Sequence, residues 1–198
     1  KRGQVNTVAY LTPATEDAFL NWEKDHEAIQ QALVEANGFG LPKGYHLERH
    51  VDDWDSYDLF VAAWYWAHHP APWADPLGKK PEAVRPAPRV AIPTGPDEDA
   101  TNYLIGNFFR HGMRHATELA QTDSVEVVDA LQWEALFHKH HLVVPECDNP
   151  KGIDSEGMRE LFKKGRLAWA PLDQEDSLQL HGGARSDSSP AQSRVTRA

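Results

Sequence analysis

Sulfur is scarce in this chain: 198 residues hold one cysteine, Cys147, and two methionines. A lone thiol builds neither an internal disulfide framework nor a Cys-based zinc knuckle, so the fold must rest on its own core. Long apolar runs are missing as well. The longest, Leu59 to Ala67, is about half of the ~18 residues that a membrane span requires, leaving at most a peripheral membrane contact. Positive charge is short, with 20 Lys and Arg against 30 Asp and Glu, a formal net charge of −10. Nucleic acid and anionic lipid bind through clustered cations, so both are poor partners for this composition. No Gly-rich phosphate loop, Gly-x-Ser-x-Gly elbow or His-Glu-x-x-His motif occurs.

What is abundant is aromatic and proline-rich. Four of the seven tryptophans (Trp54, Trp64, Trp66 and Trp73) fall within twenty residues. Directly after them, prolines recur at 70, 72, 76, 81, 86, 88, 93 and 96. That spacing forbids helix or central strand and favours polyproline II, so 70–96 reads as a long extended loop, with Arg85 and Arg89 as a local basic face.

Around this loop the fold class reads as mainly α, with about four principal helices and long extended segments. Residues 1–11 read as an N-terminal arm with one short β-like stretch, Val5 to Leu11, 12–172 as one helical domain, and 173–198 as a tail with little to bury. The first helix is expected from Thr12-Pro13 to Ala36, stopped at Asn37-Gly38, with its stripe at Phe19, Trp22, His26, Ile29, Leu33 and Ala36. A second helix, capped by Asp53 or Asp55, should run to about His69 and be central, because Leu59–Ala67 is apolar on every side. A third is expected from Asp97 to Gln121, opened by Thr94 and Asp97. A fourth should follow the capping box at Asp123–Glu126 and run to His141, burying Val128, Leu131, Ala135, His138 and Leu142. A short helix from Ser155 to Lys164 and an extended piece, Arg166–Leu172, complete the domain. The expected core centres on Trp22, Phe60, Trp64, Phe108, Leu131 and Phe137.

Two chemistries compete. His111/His115 and His138/His141 lie four and three apart on consecutive expected helices, the spacing of a transition-metal site, with Glu118 or Glu134 as a carboxylate. Glu23-x-x-His26 matches half of a di-iron pair, and the second half is missing. Glu146–Gly157 resembles a calcium loop, but its acids miss the required positions. Cys147 has no evident activating base and reads as structural.

The other reading is structural. Trp54, Trp64, Trp66, Trp73, Trp169, Arg85 and Arg89 are the residue types that interfaces favour, and arms gain contact area by folding onto a partner. The preferred expectation is therefore an accessory subunit without catalysis, binding other protein subunits of a large assembly. The chain opens on Lys1 rather than methionine, which points to a processed targeting segment and a mitochondrial complex of respiratory or ATP-synthase type. The alternatives are a metal-dependent helical enzyme and a soluble intracellular adaptor that binds one partner through the Pro-rich loop.

Overall fold

The computed structural model describes residues 7–69, 89–95, 98–114, 123–172 and 193–197. Helices dominate. In chain order the elements are β1 (Thr7–Leu11), α1 (Thr12–Asn21), α2 (His26–Asn37), α3 (Ser56–His68), β2 (Arg89–Val90), α4 (Glu98–Arg110), α5 (Val125–Lys139), α6 (Ser155–Lys163), β3 (Leu167–Leu172) and β4 (Ser193–Arg197).

The expected first helix is broken in two by a 3₁₀ turn at Trp22–Asp25. Asn21 explains the break: its side-chain amide donates to the Asp17 carbonyl at 3.1 Å and to the Asp17 carboxylate at 2.9 Å. A side chain that takes the carbonyl one turn back competes with the helical ladder. Beyond the turn, α2 buries Ile29 and Leu33 and ends where Gly38 turns to φ 74°, its N–H returning to the Val34 carbonyl. His26, placed on the buried stripe by its spacing, is exposed.

α3 is the centre of the molecule. Its cap is Asp55, whose carboxylate accepts from the Tyr57 and Asp58 N–H groups while Asp58 reaches back to the Asp55 N–H. Such a reciprocal box satisfies donors at the helix start that no carbonyl can reach. Phe60, Val61, Ala62, Ala63 and Trp66 are all fully buried, so the all-round apolar helix is interior as expected.

α4 stops at Arg110 rather than Gln121. Gly112 adopts φ 106°, and the Met113 N–H reaches back to the Phe108 carbonyl, a left-handed stop that glycine makes easy. Residues 115–122 lie outside the described residues. Thr94, expected to cap α4, instead donates its hydroxyl to the Cys147 carbonyl and accepts from the Ile153 N–H.

α5 is capped by Ser124 and has a different phase from the one expected. It buries Val127, Ala130, Trp133, Leu136 and Phe137, whereas Val128, Leu131 and Ala135 face out. Trp133 decides the phase, packing edge-on against Tyr57 and Phe60 of α3. Leu131 therefore leaves the expected core. Phe108 belongs to a smaller cluster with Met113, Val127 and Ala130.

The larger departure is a four-stranded sheet in the order β2-β3-β1-β4. β1 runs antiparallel to both β3 and β4, pairing Tyr10 with Trp169 and Thr7 with Arg197. β2 lies parallel to β3. The end of the Pro-rich stretch is thus not a surface loop. Between Pro88 and Pro93 the chain gives the Arg89, Val90 and Ala91 N–H groups to the Arg166, Leu142 and Trp169 carbonyls, burying Val90, Ala91 and Ile92. Among the described residues, no helix is long and apolar enough to cross a membrane.

Candidate functional site

The aromatic residues expected to meet a partner are largely covered by the chain itself. Trp66 has no exposed surface, and its indole N–H donates to the Ala14 carbonyl at 2.9 Å. Trp54 is half-buried, donates to the Glu48 carbonyl at 2.7 Å and leans on Trp66. Trp64 is half-buried between the stacked His68 ring and His140. Trp169 is buried in β3. Buried indoles need acceptors, and for Trp54 and Trp66 the fold supplies them internally. Trp66 and Trp169 therefore offer nothing to a neighbour. Arg89 is half-buried, its guanidinium directed at the Val143 carbonyl. Trp73 and Arg85 lie outside the described residues.

Of the two histidine pairs in the metal reading, only His138 and His141 both lie among the described residues. His138 Nδ1 meets Asp148 at 2.7 Å, while His141 lies beyond the end of α5 at φ 54°. His115 lies outside the described residues. Among those described, no group of three or more His, Cys, Asp and Glu converges to hold a metal. His140 is edge-on to Phe60, with its Nε2 buried and without a hydrogen-bond partner; burial favours its neutral form.

Cys147 is buried, its thiol directed at the Ile92 carbonyl at 3.3 Å. Burial pushes its pKa up to about 11. At pH 8 it then carries at least about 100-fold less thiolate than a free cysteine. Iodoacetamide should accordingly leave the native protein unmodified at pH 8 and label one site once urea unfolds it. Rapid native labelling would contradict this placement.

Near Cys147, a cleft of about 470 Å³ is lined by Glu146, Lys151, Asp154, Glu160 and Lys164, among others. Its acids are already engaged: Glu146 by Arg166, Asp154 by the Gly157 N–H, and Glu160 by Lys163. This is the stretch with the calcium-loop resemblance, and its carboxylates serve as caps and ion pairs.

One constellation went unread in the sequence. His111, just past α4, directs Nδ1 to Asp129 Oδ2 of α5 at 2.7 Å and Nε2 to Ser56 Oγ of α3 at 3.2 Å. The His111 side chain is 8% exposed and that of Asp129 49%. If Asp129 accepts from Nδ1–H, the neutral ring presents an unprotonated Nε2 to the serine. Only His111 was singled out by spacing, and for a different chemistry.

The second feature is the outward face of α5. Val125 is 79% exposed, Val128 40% and Leu131 45%, and exposed Ala135 continues their line. At steps of three and four these residues form one stripe. Leu20, Val34, Phe39 and Phe109 are also exposed, but they lie on other segments. α5 is thus apolar on two opposite faces, only one of which is covered among the described residues. Comparison with protein-family models, with curated proteins and with solved structures finds no match for this chain.

Proposed function

We propose that the protein is an accessory subunit that docks onto another protein chain through the outer face of α5. The supporting observation is the Val125–Val128–Leu131 stripe, a row of aliphatic side chains left exposed opposite the buried face of the same helix. Single exposed apolar residues are ordinary, whereas an aligned row suits a partner helix. Its surroundings favour one kind of occupant. Exposed Asp123, half-buried Glu126 and half-exposed Asp129 edge the stripe, and the whole chain carries −10. A second copy would set like charges together, which an interface penalises. The complementary partner is an apolar helix flanked by Lys and Arg, and the acidity favours a protein-rich assembly over an RNA-rich one. In this reading, α5 replaces the tryptophan cluster as the contact surface.

A photo-cross-linking residue at Val128, in cells that make the protein, tests the assignment. The expected adduct joins a different chain through an apolar segment flanked by Lys or Arg, and Leu131→Glu removes at least about 90% of it, a tenfold weakening worth about 1.4 kcal/mol. No adduct, an adduct between two copies, or one indifferent to Leu131→Glu would overturn the docking surface. The metal-enzyme alternative has no assembled ligand set among the described residues.

A further inference from the structure

We infer that Ser56, His111 and Asp129 form an acyl-transfer centre acting on carboxylic esters, an activity beyond the docking role. The argument begins with what the fold does not need. Asp55 already caps α3, accepting from both the Tyr57 and Asp58 N–H groups at 2.8 and 3.0 Å. The Ser56 hydroxyl is surplus to that cap and turns to His111 instead. Three separate elements, the start of α3, the turn after α4 and the second turn of α5, thereby bring a hydroxyl, an imidazole and a carboxylate into one line. This is the order of roles in serine hydrolases: nucleophile, general base, and the group that holds the base in its tautomer. Such constellations are recognised by geometry rather than by sequence order.

The chemistry balances with water as the only co-substrate. Ser56 Oγ attacks the ester carbonyl carbon as His111 Nε2 takes the hydroxyl proton. The tetrahedral intermediate expels the alcohol, which receives that proton from Nε2. Water then attacks the acyl-serine, giving one proton to Nε2, which returns it to Ser56 as the carboxylic acid leaves. Asp129 is a positioning residue: it fixes the ring and stabilises the imidazolium.

Substrate class follows from the surroundings. Ser56 is the first residue of α3, so its backbone N–H has no carbonyl one turn earlier to bond, and Asp55 bonds the next two. That leaves the Ser56 N–H as the donor for an oxyanion, adjacent to the positive end of the helix. A single donor suits esters, whose carbonyl is more electrophilic than an amide. Asp55 and Asp129 flank the nucleophile and disfavour anionic substrates. The expected substrates are therefore neutral or cationic esters of small carboxylic acids.

The test uses the full chain with a fluorophosphonate probe and p-nitrophenyl acetate. The probe should modify Ser56, located by mass spectrometry of peptides from the unmutated protein. Ester hydrolysis should fall to background in Ser56→Ala and His111→Ala. Asp129→Asn should lower both labelling and hydrolysis by roughly 100-fold or more, with partial recovery in Asp129→Glu, at unchanged thermal unfolding. Mono-(p-nitrophenyl) succinate, the anionic analogue, should react at least about tenfold more slowly than the acetate. A probe that leaves Ser56 untouched overturns the centre. So does hydrolysis that survives Ser56→Ala in a folded variant, in which case the three residues act as a fastening between helices.

Discussion

Replacing Trp66 with alanine should destabilise the protein by about 4–5 kcal/mol, the upper range for removing a buried aromatic ring. Two losses combine. The first is the cavity: Trp66 is fully buried at the heart of α3, and the neighbouring Trp54 ring is held by its own bond to Glu48 and cannot simply fall inward. The second is polar. The indole N–H donates to the Ala14 carbonyl on α1, and truncation removes that buried hydrogen bond, worth about 0.5–1.5 kcal/mol of its own. Because these contributions overlap, their sum is not expected in full. Trp66→Phe keeps much of the ring area and loses the donor, and about 1–3 kcal/mol should go. Urea unfolding analysed by linear extrapolation measures both. Against a typical stability of about 5–15 kcal/mol, the alanine variant sits near the threshold of folding at 37 °C. A loss below about 2 kcal/mol would show that the ring is not interior, and would return Trp66 to the candidates for partner contact.

Asp58 carries the second large effect. One of its oxygens accepts the Tyr45 hydroxyl at 2.7 Å and the Glu48 N–H at 3.1 Å, and the other accepts the Asp55 N–H at 3.1 Å. This carboxyl is what anchors the 45–55 loop to the start of α3. Asp58→Ala strands these donors and opens half of the capping box, for about 3 kcal/mol. The pH dependence separates charge from shape. Burial holds the Asp58 carboxyl above the ordinary range, outweighing the three hydrogen bonds that pull it down; the nearby Asp55 charge adds to the rise. The same burial, with Asp58 beside it, raises the Tyr45 phenol. A carboxyl raised on folding binds its proton more tightly in the native state. Its contribution is therefore full below the unfolded value near pH 4 and declines as pH climbs through the native one. Asp58→Asn cannot titrate, so the stability gap between wild type and this variant should narrow from pH 4 to pH 7. A gap that widens over that interval would reverse the assignment.

Local chemistry made the helices legible. Asp55, Gly38 and the unbroken apolar run of α3 each signal a boundary or a buried face through interactions a few residues long. α5 shows where that logic stops. Val128–Leu131–Ala135 and Val127–Ala130–Phe137 are both credible helical stripes, and the choice between them was made by Trp133 meeting Tyr57 and Phe60 on another helix. The extended character of Val5–Leu11 and Arg166–Leu172 was legible, but their pairing into a sheet was hidden for the same reason. β1 and β3 pair across most of the chain, and β2 is a two-residue strand set between prolines, too short for any periodicity. The Ser56–His111–Asp129 line joins positions 55 and 18 residues apart, so composition and spacing carried no trace of it. At the far end of 70–96, proline density signalled extended chain but not which carbonyls the four residues between Pro88 and Pro93 would meet.

The position of β1 between β3 and β4 also sets a timetable for synthesis. The strand leaves the ribosome well before its partners, since β3 emerges only with residues 167–172 and β4 with 193–197. At about 5–20 residues per second, β1 waits roughly ten to forty seconds for its flanking strands. During translation both of its edges are open to any nascent neighbour on the same message until β3 and β4 have emerged.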